Sequence, residues 1–154
     1  MGIMRKQERP VEVLLVEDNE GDVFLTRKAF EKVGRKVNLK VASDGEMAID
    51  MILKNHPYDQ AVTPDLLLLD INLPKKDGLE ILRFIKAHDR IRRIPVIVLS
   101  SSRAEGDIIK SYDLQASSYI VKPNDPLGYG LFVEAVEKFW FECAELPQDK
   151  RAFS

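Results

Sequence analysis

The sequence predicts a doubly wound α/β domain: a parallel sheet with helices packed on both faces. Short apolar runs rich in Val, Ile and Leu recur at residues 11–16, 66–69 and 96–99. Strands buried on both faces carry such continuous apolar runs, whereas half-exposed strands alternate. Between the runs lie longer stretches with helical periodicity, and strand alternates with helix five times along the chain. That alternation is the pattern of a parallel sheet with crossover helices.

A polar lead-in over residues 1–10 ends at Pro10, and the first strand follows at 11–16. The first helix is expected over 20–33. Asp18-Asn19 stands where a side chain caps the free amides, and Gly34 where a left-handed C-terminal cap would sit. A weaker strand at 38–42 leads to Ser43-Asp44-Gly45, a capping start for a second helix over 46–54. Residues 55–64 carry two prolines and form the longest loop. The third strand, 66–69, precedes a helix over 78–87, and the fourth, 96–99, precedes a helix over 105–114. A weak strand at 119–121 leads into a last helix from 127 to about 143. One domain over 11–146, with a tail at 147–154, accounts for the pattern.

Composition bounds the function. A chain of 154 residues fits one domain of the usual size, roughly 100–200 residues. Its 45% hydrophobic and 31% charged content is that of an ordinary soluble protein. A formal charge of -2 argues against a nucleic-acid binder. The single cysteine, Cys143, excludes a disulfide framework and a Cys-rich zinc site. No apolar run approaches the roughly 18 residues of a membrane span. The amino terminus has no secretory core, and Lys6 stands where a myristoylation signal needs Ser or Thr. A cytoplasmic protein is expected, with no membrane contact.

In an open parallel sheet, ligands bind outside the carboxyl ends of the strands, where strand order reverses. Those ends carry Glu17-Asp18-Asn19, Asp70-Ile71-Asn72, Ser100-Ser101-Ser102 and Lys122-Pro123. Taken singly, each has an ordinary reading as a cap, a turn residue, a loop serine or a solvated lysine. Their coincidence on one rim is specific. Two like charges about 4 Å apart repel by roughly 4 kcal/mol at an effective dielectric of 20, so Glu17, Asp18 and Asp70 call for a cation. Oxygen ligands favour a hard ion, and Mg2+ is expected. His56 and His88 fall in a loop and at a helix end, away from the rim. A cation, a free carboxylate, a lysine and a hydroxyl suit phosphoryl transfer, with Asp70 as nucleophile forming an acyl phosphate.

The sequence resembles the receiver domain of two-component response regulators, the CheY-like family. The matching pieces are Val16-Glu17-Asp18-Asn19, Leu69-Asp70-Ile71-Asn72-Leu73-Pro74 with Asp77-Gly78, Pro95-Val96-Ile97-Val98-Leu99-Ser100, and Tyr119-Ile120-Val121-Lys122-Pro123. The likeness spans about residues 11–143. It implies a flavodoxin-like five-stranded parallel sheet in the order 2-1-3-4-5. It further implies phosphorylation of Asp70 by a sensor histidine kinase, and a non-enzymatic signalling role with Mg2+-dependent self-phosphorylation from small donors and self-dephosphorylation. By the same resemblance Asp18 and Asp70 bind the metal, the Asn72 backbone carbonyl completes the set, and Glu17 acts mostly through water. Ser100 contacts the phosphoryl group, Lys122 pairs with its oxygens, and Tyr119 is the aromatic switch that follows Ser100. Two positions depart from the family pattern: Ser100 replaces the more frequent Thr, and Asn124 stands where Phe is common. The long loop and the Trp140-containing carboxyl end are similar to stand-alone receivers that serve bacterial phytochrome kinases.

Other readings fit less well. Haloacid-dehalogenase-type phosphatases need a second acid two residues after the nucleophile, where this chain has Asn72. No GxxxxGK[ST] loop is present for a nucleotide switch. A non-phosphorylated pseudo-receiver scaffold would not need Asp70, the acidic pair and Lys122 together. With no DNA-binding domain expected after the last helix, output runs through protein contacts or onward phosphotransfer. That helix also predicts a homodimer through the fourth-helix, fifth-strand and fifth-helix face. At 100° per residue Ala135, Phe139, Phe132, Cys143, Val136, Tyr129, Trp140 and Val133 span an arc of roughly 160°, against about 100° for one packed face. Phe141 and Leu131 lie outside that arc, on the charged side.

Overall fold

The apolar segments become five strands: β1 (Val11–Val16), β2 (Val37–Ala42), β3 (Leu66–Asp70), β4 (Val96–Ser100) and β5 (Ser118–Val121). They form one parallel sheet in the order β2-β1-β3-β4-β5. The computed structural model describes residues 9–74 and 76–147. Five helices connect and follow the strands: α1 (Glu20–Glu31), α2 (Gly45–Leu53), α3 (Gly78–Ala87), α4 (Glu105–Asp113) and α5 (Pro126–Val136). A π-helical segment, Glu137–Cys143, continues α5.

Every residue of β3 is buried, and its side chains alternate between two cores. Leu67 and Leu69 join Leu14, Val16, Val96 and Val98 under Ile52, Ile81 and Ile85 of α2 and α3. Leu66 and Leu68 join Val13, Leu15, Ile97 and Leu99 under Phe30 of α1 and Phe132, Val133 and Val136 of α5. This double burial is why the central strands show continuous apolar runs. The edge strands β2 and β5 are mostly half-buried and correspondingly weaker in sequence.

The starts of the helices follow local chemistry. Asn19 caps α1 by accepting from the Asp22 amide at 2.9 Å, and Asp44 caps α2 by accepting from the Met47 amide at 2.9 Å. The end of α1 differs from expectation. The helix stops at Glu31, with Lys32 as a right-handed C-cap, and no described glycine has a positive φ. The Gly34 and Arg35 amides instead donate to the Glu137 carboxylate at 2.9 and 3.2 Å, which closes the turn without a left-handed residue. The left-handed cap falls on Lys54, φ 61°, at the end of α2.

The last helix also departs from the expected regular arc. Beyond Val136 its hydrogen bonds widen to i→i+5, and the Ala144 amide donates to the Phe139 carbonyl at 2.8 Å. The wider turn takes up an extra residue and rotates the side chains beyond it. Phe141, placed outside the packed face by a constant 100° step, is 2% exposed and lies 6.4 Å from the Phe30 ring. Phe139 is 56% exposed, and Ala135 and Cys143 also face solvent.

Arg9, counted with the lead-in, is anchored. Its guanidinium donates to both oxygens of buried Asp65 at 3.0 and 3.3 Å, and its carbonyl accepts from Arg35. Residues 1–8 of the lead-in and 148–154 of the tail lie outside the described residues.

The π-helical register is tested by a pair of substitutions. Phe141→Ala should cost about 3–5 kcal/mol in denaturant unfolding, as for a core aromatic. Phe139→Ala should cost less than about 1 kcal/mol. A regular α-helix through residue 143 would reverse that ranking.

Candidate functional site

The order of the sheet reverses between β1 and β3, and the register of these two strands builds the site. Val16 pairs with Leu69, so Glu17 and Asp70 stand next to each other just beyond the paired residues. Ser100 pairs with Val121, which delivers Lys122 one residue later on the far side of β4. Gly78 lets α3 approach the end of β3: a methyl there would run into the Ile71 backbone and the Asp70 carbonyl.

Glu17 and Asp70 are each 3% exposed, whereas Asp18 is exposed. One oxygen from each of the three carboxylates lies within 4.8 Å of the others. The Lys122 ammonium is the hub. It sits 2.7 Å from Glu17 Oε1, 2.9 Å from Asp22 Oδ2 and 3.0 Å from Asp70 Oδ2. The second oxygen of Asp70 accepts from the Asn72 amide at 2.9 Å, and the second oxygen of Glu17 accepts from the Asn19 amide at 3.2 Å. Ser100, fully buried, accepts from the Ser102 amide at 3.1 Å and from the Asn72 side-chain amide at 3.3 Å. Tyr119 is half-buried, and its hydroxyl donates to the Ser102 carbonyl at 2.9 Å.

All the rim residues singled out from sequence therefore meet at one edge of the sheet. Two further residues join them. Asp22, in the first turn of α1, reaches the Lys122 ammonium, and Tyr129 is buried on α5 with its hydroxyl near Asp22. Asp18 precedes the N-cap of α1, so no shared helix face in the sequence marked Asp22 as its neighbour.

Four carboxylates against one ammonium leave a surplus of negative charge. Burial pushes the Glu17 carboxyl up to about 7, with Lys122 opposing the rise and Asp70 adding to it. Burial works to lower the Lys122 ammonium, but its bonds to Glu17, Asp22 and Asp70 outweigh that and raise it. Burial, reinforced by the Asp22 charge, raises the Tyr129 hydroxyl. An all-oxygen set with excess negative charge fits a hard divalent cation. Its chemistry excludes the sulfur and imidazole ligands typical of structural zinc.

The model of the response regulator receiver domain matches residues 13–127. The chain belongs to the response regulator receiver family. Its signalling role in two-component systems follows. Among curated relatives, response regulator Rcp1 of Synechocystis is 37% identical over 138 residues, covering 90% of this receiver and 94% of the relative. The probable methanogenesis regulatory protein FilR2 of Methanothrix harundinacea is 36% identical over 139 residues, covering 90% and 89%. Among solved structures, the phosphorylated cyanobacterial phytochrome response regulator RcpA is 39% identical with a TM-score of 0.87, covering 91% of this chain and all of that one. The Mn2+-bound form of Rcp1 superposes on this receiver with a TM-score of 0.85 at 37% identity, covering 90% of this chain and 100% of that one. The acidic cluster of Glu17, Asp18 and Asp70 fits a divalent-metal site of that kind.

The raised Glu17 carboxyl makes metal uptake pH-dependent. A proton on Glu17 occupies the metal-free receiver only, so acid weakens the metal complex. Between pH 8 and pH 6 the affinity for a divalent cation should fall about tenfold, with about half a proton released per ion at pH 7. Calorimetry in buffers of different ionisation heat measures that release. A pH-independent affinity over this range would contradict a protonated Glu17.

Proposed function

We propose that Asp70 accepts a phosphoryl group from a sensor histidine kinase, with Mg2+ as the working cation. The observation that carries this is the Asp70 carboxylate itself. It is buried, held at one oxygen by the Asn72 amide and at the other by Lys122, and flanked by Glu17 and Asp18. In the reaction an Asp70 oxygen forms a bond to phosphorus. The bond from phosphorus to the donor breaks, and the leaving group takes the electron pair. Asp18, Asp70 and the Asn72 backbone carbonyl would hold the cation, with Glu17 acting through water. When bound, the cation supplies positive charge that offsets the phosphoryl oxygens. Lys122 supplies a charge-assisted donor to the same oxygens, and Ser100 supplies a hydroxyl.

Because these groups come from the receiver, small donors such as acetyl phosphate suffice for self-phosphorylation. The same groups support self-dephosphorylation. Ser100 then engages the phosphoryl group in place of the Asn72 amide. Tyr119 follows through the loop its hydroxyl already holds at Ser102. Residues 11–146 constitute the receiver.

The likeness to the cyanobacterial phytochrome response regulator RcpA supports a phytochrome-type kinase as the partner. Output runs through protein contacts or onward phosphotransfer, without nucleic acid or membrane. Exposed apolar side chains on both helices beside β5 support a homodimer there: Ile109 and Tyr112 on α4, Leu127 and Leu131 on α5. Leu131→Glu should weaken that dimer in sedimentation across a concentration series. A strict monomer at high micromolar concentration, phosphorylated or not, would rule it out.

Incubation with acetyl phosphate and Mg2+ should add the mass of one phosphoryl group, and Asp70→Asn should abolish the addition. An unchanged mass shift in that variant would overturn the assignment of Asp70.

A further inference from the structure

The Lys122 ammonium has three protons, and three carboxylates take them. Two of these, Glu17 and Asp70, belong to the cluster suited to a cation, and Asp70 is also the proposed phosphoacceptor. The third, Asp22, lies outside that cluster. It stands in the first turn of α1, half-buried, with the Tyr129 hydroxyl nearby. Tyr129 is 1% exposed and fixed at the start of α5, where its amide donates to the carbonyl of the N-cap Asp125 at 3.2 Å.

We propose that Asp22 is a positioning residue for phosphoryl transfer: its carboxylate, 2.9 Å from the Lys122 ammonium, anchors that ammonium beside Asp70. The inference rests on Asp70 being the phosphoacceptor. A lysine is a point charge on a flexible four-carbon stem, so it needs a fixed partner to be held in one place. Once a cation and a phosphoryl group engage Glu17 and Asp70, Asp22 is the carboxylate that still holds Lys122. The buried Tyr129 brings α5 close to that anchor. An acid in the first turn of a helix also favours the helix dipole, a role that requires neither Lys122 nor Tyr129.

The two roles separate in a mutant cycle on the full chain, with acetyl phosphate as donor and phosphorylation followed by mass. Asp22→Asn should slow phosphorylation of Asp70 about tenfold, the loss of one charge-assisted bond. In a Lys122→Met background the same substitution should add nothing further. Tyr129→Phe keeps the carboxylate and the packing. It should slow the reaction in the same direction while leaving the Mg2+ affinity, measured by calorimetry, within about twofold of wild type. An Asp22→Asn variant that reacts at the wild-type rate, or whose defect persists undiminished without Lys122, would overturn the proposal. So would a Tyr129→Phe variant that loses Mg2+ affinity along with rate. A wild-type chain that takes up no phosphoryl group would instead defeat the reading of Asp70 on which the proposal rests.

Discussion

A single ammonium group, that of Lys122, sits among carboxylates that could not otherwise share the edge of this sheet. Glu17 and Asp70 are almost fully buried, and Asp22 reaches the same nitrogen from α1. Like charges at such separations repel by about 4 kcal/mol even at an effective dielectric of 20. Lys122 offsets part of that repulsion. With Asp18 included, four carboxylates still face one ammonium. The remainder is relieved by a proton on Glu17 or by a divalent cation, and burial, reinforced by Asp70 and opposed by Lys122, sets the competition between them. The site is therefore poised for charge: it holds more negative charge than its own residues neutralise, at an edge open to solvent through Asp18.

The apolar cores keep that arrangement from relaxing. β3 is buried along its whole length between two layers of helices, so Asp70 stands at the end of a fully buried central strand. Parallel register then sets the neighbours, with Glu17 beside Asp70 and Lys122 just past the Ser100–Val121 pair. Gly78 lets α3 close against the same strand end. Two connections leave the site. One runs from Asp70 through Asn72 and Ser100 to the Ser102 loop and Tyr119. The other runs through Lys122 to Asp22 on α1, which lies near Tyr129 of α5. Both end on elements beside the exposed apolar side chains of α4 and α5, where a local change of charge could bias a surface.

The central strands were legible because burial on both faces demands uninterrupted apolar residues. The edge strands were fainter because half-burial relaxes that demand. Glu17, Asp18, Asp70, Asn72, Ser100 and Lys122 could be placed on one rim because each stands at or just past a strand end, and parallel topology brings strand ends together, whereas Tyr119 was marked only by the family resemblance. Asp22 and Tyr129 gave no such signal. An acid in a first helical turn is common for electrostatic reasons, and Tyr129 lies between Gly128 and Gly130, a pair that suggests a loose helix start. The π-helical segment was invisible to any pattern with a constant angular step, so Phe141 and Phe139 exchanged places. Arg9 and Asp65 lie far apart in sequence, and only the fold reveals their pairing.

The central claim is that Lys122 is the counter-charge on which the acidic site depends. Its most direct test is the unfolding free energy of Lys122→Met, compared with wild type at pH 8 in chelator and again in saturating Mg2+. Removing one partner of a buried ionic cluster should destabilise the metal-free variant by about 3–5 kcal/mol, and Mg2+ should recover much of that loss. Equal stability of the two proteins in chelator, with no extra stabilisation of the variant by Mg2+, would contradict the account.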